Sequence, residues 1–176
     1  EAIDHDTNGL MQTSLSRAMG SAEAALDLAF HSARDQLPDA KLIYNDYMSW
    51  EPAHDKHCAD VLRLLEGFRK RNVPVDTLGI QSHIEMFAID PATGVGPYRE
   101  GEWRQFLDEA VAMGYKLLFT EFDVKDKALP GAIPERDAQG AEFARRYFEV
   151  MLDYDQLAHI LAWGMVDKYS WLQGFA

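Results

Sequence analysis

Four times along the chain, an amphipathic helical pattern gives way to a short apolar run ending in polar or aromatic residues, at intervals of roughly 40 residues. The first helical stripe is Leu26, Ala29, Phe30, Ala33 and Leu37, with Ser21 as the expected N-cap, Glu23 favourable to the helix dipole and Pro38 as the stop. The second is Cys58, Val61, Leu62, Leu65 and Phe68, closed by the basic turn Arg69-Lys70-Arg71. Trp103, Phe106, Leu107, Ala110 and Val111 mark the third helix, and Ala144, Tyr147, Phe148 and Met151 the fourth. The runs after or before them, Lys41 to Tyr44, Thr77 to Ile80, Lys116 to Val124 and His159 to Trp163, read as buried strands. Short strands alternating with helices predict a parallel sheet with right-handed crossovers, because no two of these strands can meet through a tight hairpin. Each strand ends in chemistry and each helix-to-strand return is plain. That polarity fits the α/β class, as a (β/α)8 barrel or a doubly wound open sheet. No Gly-rich fingerprint follows a strand, so a dinucleotide-binding sheet is the weaker alternative. Four units make half a barrel, since closure needs eight strands.

Composition narrows the partners. Seventeen Lys and Arg against 29 Asp and Glu give a net charge of −12, which repels nucleic acid and anionic membrane and suits a neutral substrate. Cys58 is the only cysteine, so no intrachain disulfide or Cys-rich metal site can form. No apolar run approaches the roughly 20 residues that span a bilayer. The sequence opens at Glu1 without an initiating Met or a signal-like stretch, and it is expected to begin partway through a longer protein.

The third strand holds the most costly feature. Its apolar run ends by placing Glu121 and Asp123 where water is scarce, and alternation turns Phe122 to the opposite face. Removing a carboxylate from water costs on the order of several kcal/mol unless partners hold it, and Leu or Val would fill the space without that cost. The bland alternative is a strand fraying into an acidic surface loop. The other strand ends bear on the choice: YNDY (44 to 47), QSHI (81 to 84) and WGMVDKYSW (163 to 171) join TEFD (120 to 123).

These four segments, in this order, resemble glycoside hydrolase family 10, the endo-1,4-β-xylanases, from Glu1 to about Trp171. Phe122 stands where the family's nucleophile segment carries Leu, an apolar departure. In that register the opening Glu1-Ala2 matches the acid/base segment. The resemblance implies a partial (β/α)8 catalytic domain over residues 1–176, from the end of the fourth barrel strand through the eighth. It implies retaining hydrolysis of internal β-1,4 bonds in xylan, with no metal and no organic cofactor. The expected partners are xylan or xylo-oligosaccharide, not nucleic acid or membrane. A monomer in a secreted or periplasmic setting is expected.

Cleaving a glycosidic bond requires an acid at the leaving oxygen and a carboxylate against the oxocarbenium-like centre. Glu121 is the expected nucleophile and Glu1 the acid/base. His83, on the adjacent strand end, is placed to orient Glu121, and Asp123 to hold His83 in one tautomer; a satisfied core histidine is the alternative. Trp163 and Trp171 are candidate sugar platforms, since a pyranose packs its C–H face on a ring, though core packing is the usual fate of Trp. Asn45 and Gln81 are candidate partners of sugar hydroxyls or simple caps of strand ends. Tyr47, Trp50 and Tyr98 are expected in cleft-side loops, and the stretch from Glu85 to Gly101 is a candidate substrate-side loop. His54, His57 and Asp60 have a metal-compatible spacing but read better as solvated residues near a helix start. Asp4-His5-Asp6 reads as a hydrated acidic loop. Two rival functions stay open: a related β-1,4-glycanase acting on glucan, and a non-catalytic sugar-binding module.

Overall fold

The computed structural model describes residues 1–4, 9–86, 98–126 and 129–172. The helices are α1 (Ser14–Met19), α2 (Ala22–Gln36), α3 (Asp55–Lys70), α4 (Glu100–Ala112) and α5 (Ile133–Leu152). The strands are β1 (Ile43–Asp46), β2 (Thr77–Ile80), β3 (His83–Glu85), β4 (Lys116–Lys125) and β5 (Leu157–Ala162). Ser21 caps α2 as expected, its hydroxyl accepting the Ala24 N–H at 3.0 Å. The short α1 was not legible from apolar spacing; Thr13 and Ser16 cap it reciprocally and Gly20 ends it in a left-handed conformation. On α3 the buried face is Val61, Leu64, Leu65 and Phe68 together with His57 and Asp60, so it is rotated from the stripe expected through Cys58 and Leu62.

Among the described residues, every pairing between these five strands is parallel. β1 lies beside β2, β2 beside β4, and β5 on the other edge of β4, while β3 continues the line of β2 along the far half of β4. The break between β2 and β3 falls at Ser82, which holds φ at 61° with its hydroxyl 3.2 Å from that of Tyr147. A non-glycine residue in that region is strained. It turns the chain so that His83 returns to β4.

β4 carries a bulge. Its ladder pairs Ile80 with Phe119 and resumes with His83 against Asp123, so β4 has one residue more than its neighbour over that interval. The same surplus appears against β5, between the Phe119–Ile160 and Phe122–Ala162 pairs. An extra residue re-aims the side chains around it. Phe119 and Phe122 both pack toward α5, against Tyr147 and Phe148, while Thr120 and Glu121 are turned to the opposite side, toward Asn45.

The core fills the layer between sheet and helices, with Tyr44, Leu78, Ile80 and Phe119 meeting Val61, Leu65, Phe68, Trp103, Leu107 and Tyr147. At the N-terminal ends of the strands the polar groups are spent on fastening. Arg69 donates to the carbonyls of Met113 (2.9 Å) and Val75 (3.1 Å) and lies 3.7 Å over the Tyr115 ring, whose hydroxyl donates to Leu65 O. The C-terminal ends are left for chemistry, as expected for an α/β barrel arc. Among the described residues no helix is long and apolar enough to cross a membrane.

Candidate active site

The C-terminal strand ends converge on a cleft of about 660 Å³ lined by Glu1, Gln81, His83, Glu121, Trp163 and Trp171, and also by Tyr47, Glu51, His54, Glu85 and Lys125. Glu121 is gripped at both oxygens. Asn45 donates its amide N–H to Oε1 at 3.0 Å, and His83 Nε2 lies 3.2 Å from Oε2. Thr120 in turn donates its hydroxyl to Asn45 Oδ1 at 2.7 Å, which fixes the amide orientation. The other imidazole nitrogen of His83 is 2.9 Å from Asp123 Oδ1. Burial opposes a charged imidazole here, but Asp123 and then Glu121 outweigh it and raise the His83 pKa above its ordinary value. A doubly protonated ring donates to both carboxylates at once.

Glu1 lines the same cleft, with Gln81 donating its amide N–H to Glu1 Oε1 at 2.5 Å. Asn45 and Gln81 thus direct their amide donors at the carboxylates, a role their sequence positions did not reveal. Asp123 also accepts the indole N–H of Trp171 at 2.5 Å, and Lys125 lies 4.6 Å over that ring. The Trp171 ring is therefore fixed by the site, whereas Trp163 is 50% exposed and meets the edge of His83 at 6.3 Å between centroids.

Other expectations are corrected. Trp50 is a core residue, wedged against Tyr98, Phe143 and Tyr147, because its apolar ring finds an aromatic pocket among them. His57 is buried, not solvated, with Nε2 3.1 Å from Asp46 Oδ1 and its ring stacked on Tyr47 at 3.8 Å. Tyr47 does line the cleft. His5 and Asp6 and most of the stretch from Glu85 to Gly101, residues 87–97, lie outside the described residues.

Gly79 ties the sheet to the site. A methyl group there would sit 2.6 Å from Asn45 Oδ1, 2.9 Å from Ile43 Cγ2 and 3.1 Å from Thr120 Cγ2. Gly79→Ala is expected to cost about 1–3 kcal/mol by overpacking. It should also lower kcat, because Asn45 must move away from Glu121. Chemical unfolding and steady-state kinetics of the variant check both effects.

Fold and site together define an α/β-barrel arc whose strand ends aim a held pair of carboxylates into a cleft faced by indoles. The family model for glycosyl hydrolase family 10 matches residues 1–176, and the chain belongs to that family. It is 32% identical over 143 residues to endo-1,4-beta-xylanase B of Thermotoga neapolitana, covering 81% of this chain and 38% of that protein. It is 27% identical to endo-1,4-beta-xylanase A of Caldicellulosiruptor saccharolyticus, covering 99% of this chain and 50% of that protein. Among solved structures it superposes on native xylanase 10B from Thermotoga maritima with a TM-score of 0.82 at 28% identity, covering 99% of this chain and 49% of that one. The xylobiose complex of xylanase 10B from Thermotoga petrophila gives 0.80 at 27% identity, with 99% and 49% covered. The chain thus spans half or less of the length of these relatives, as part of a (β/α)8 barrel.

Proposed function

We propose that this chain supplies both catalytic carboxylates of a retaining endo-1,4-β-xylanase. The observation that carries the reading is the two-sided hold on Glu121 by Asn45 and His83, in one cleft with Glu1 and two indoles. A bare binding surface has no use for a carboxylate whose two oxygens are both fixed and whose His83 partner is itself anchored by Asp123.

In this reading an oxygen of Glu121 attacks the anomeric carbon of a xylosyl unit. The bond from that carbon to the glycosidic oxygen breaks, and the departing oxygen takes the proton of Glu1. The Glu1 carboxylate then removes a proton from water, which attacks the same carbon and releases Glu121. Two inversions leave the configuration unchanged, which requires carboxyl groups about 5–5.5 Å apart. His83 keeps Glu121 pointed at the anomeric carbon, and Asp123 keeps His83 in place. Trp163 offers an open ring for a sugar C–H face, and Trp171 walls the site beside Asp123. The substrate class follows from relatives named as xylanases and from one solved with xylobiose. A monomer working outside the cytoplasm, where polymeric xylan lies, completes the proposal.

Proton NMR of xylo-oligosaccharide hydrolysis by the natural polypeptide tests it. The first product detected should be the β-anomer; immediate release of the α-anomer would mean that water, not Glu121, attacks.

A further inference from the structure

We propose that Tyr44 and Asp46, backed by His57, are positioning residues for the acid/base carboxyl of Glu1, an inference that rests on the glycosidase reading above. The backbone N–H that follows Glu1, on Ala2, lies 3.3 Å from the Tyr44 hydroxyl and 3.4 Å from Asp46 Oδ2. Tyr44 donates its own hydroxyl to that same Asp46 oxygen. The second oxygen, Oδ1, accepts the Tyr47 N–H at 2.8 Å and lies 3.1 Å from His57 Nε2. Asp46 is fully buried, as are Tyr44 and His57. Its backbone carbonyl accepts the Gln81 N–H at 3.1 Å, and the Gln81 side chain is the amide that reaches Glu1. One residue therefore fixes the acid/base segment twice, through the Ala2 amide and through the origin of Gln81.

Packing alone does not account for this arrangement. A buried carboxylate is tolerated only when donors surround it, and an apolar side chain would fill the volume without the desolvation cost. Burial pushes the Asp46 carboxyl up, but His57 and Tyr44 outweigh it and hold the pKa below the ordinary carboxylate value. Burial and the neighbouring Asp46 push the Tyr44 phenol upward, so it stays a proton donor to Asp46. An ionised Asp46 at the end of β1 is thus a fixed negative pole, and the Ala2 N–H is drawn to it. The opposite side of the segment is held by the Ala2 carbonyl accepting the Met11 N–H at 2.8 Å.

The test separates positioning of the acid from general damage. Departure of a sugar oxygen needs the proton of Glu1, whereas departure of 2,4-dinitrophenolate does not. In the natural polypeptide, kcat/KM is measured for xylotriose and for 2,4-dinitrophenyl β-xylobioside, beside the melting temperature. Tyr44→Phe should shift the ratio of the two constants at least about tenfold toward the aryl substrate, within the range that general-acid catalysis supplies. Asp46→Asn, which keeps the volume, carries the same expectation if Tyr44→Phe folds poorly. A ratio equal to that of the wild type overturns the positioning role, whether both rates fall together or neither falls. A wild-type polypeptide that cleaves neither substrate overturns the glycosidase reading and this inference with it.

Discussion

Glu121→Gln is expected to abolish hydrolysis of both natural and aryl xylosides, with kcat falling on the order of 10⁴-fold or more, as when an enzymic nucleophile is removed. The substitution is nearly isosteric: the Gln oxygen can still accept the Asn45 N–H, while its NH2 faces His83 Nε2, which keeps the contact by giving up its proton and accepting. Binding of xylo-oligosaccharide should therefore survive, seen as tryptophan quenching through Trp163 and Trp171. An aryl substrate does not rescue this variant, because bond formation at the anomeric carbon is missing, not the proton. Loss confined to unactivated substrates would assign Glu121 the acid role and dismantle the pairing with Glu1.

Glu51→Gln is expected to reshape the dependence of stability on pH. Glu51 is 4% exposed; Oε1 accepts the Glu85 N–H at 2.8 Å and Oε2 is buried without a hydrogen-bond partner. Burial pushes its pKa from 4.5 up to about 7, opposed by the Glu85 N–H. Among the described residues, charged or titratable groups near it include His54, with Nδ1 at 3.6 Å, the Glu85 carboxylate, Lys125, Cys58 and Tyr147. Above pH 4.5 the unfolded chain releases this proton while the folded chain retains it, so the folded state binds more protons and stability falls as pH rises. The loss runs from about pH 4.5 to about 7 and amounts to on the order of 3 kcal/mol. Gln cannot ionise and still accepts the Glu85 N–H. Urea unfolding at acid and neutral pH should show the variant gaining on the wild type across that window. Parallel profiles would mean that Glu51 ionises freely in the folded protein.

How much of this was visible in the sequence divides along physical lines. The helices and strands repeat on a period set by burial, so stripes such as Trp103, Phe106, Leu107 and Ala110 were legible and form the buried face of α4. The segments bearing Asn45, Gln81, His83, Glu121 and Asp123 were legible because polar residues ending apolar strands need a reason. Parallel topology brings Gln81, His83 and Glu121 to one cleft, with Asn45 and Asp123 hydrogen-bonded behind Glu121 and His83. The bulge at Thr120 and Glu121 was not legible, since one surplus residue shows only against the register of neighbouring strands. Nor was the left-handed turn at Ser82, which a serine adopts because its surroundings impose it. Trp50 follows the YND segment in a loop, where local sequence carries no periodic sign of burial, whereas His57 lies on the helical period of Val61, Leu64, Leu65 and Phe68 and is masked by the competing stripe through Cys58 and Leu62. The partner that buries His57 is Asp46, which strand periodicity alone could not separate from a cleft residue.

Under the proposed mechanism Glu121 forms the covalent bond to sugar. Exposure of the natural polypeptide to a 2-fluoro-xylobioside inactivator, followed by digestion and peptide mass mapping, tests it directly. The label should reside on the peptide carrying Thr120-Glu121-Phe122-Asp123, at Glu121. A label on Glu1, on Asp123 or on any residue outside this strand end would mean that Glu121 is not the nucleophile.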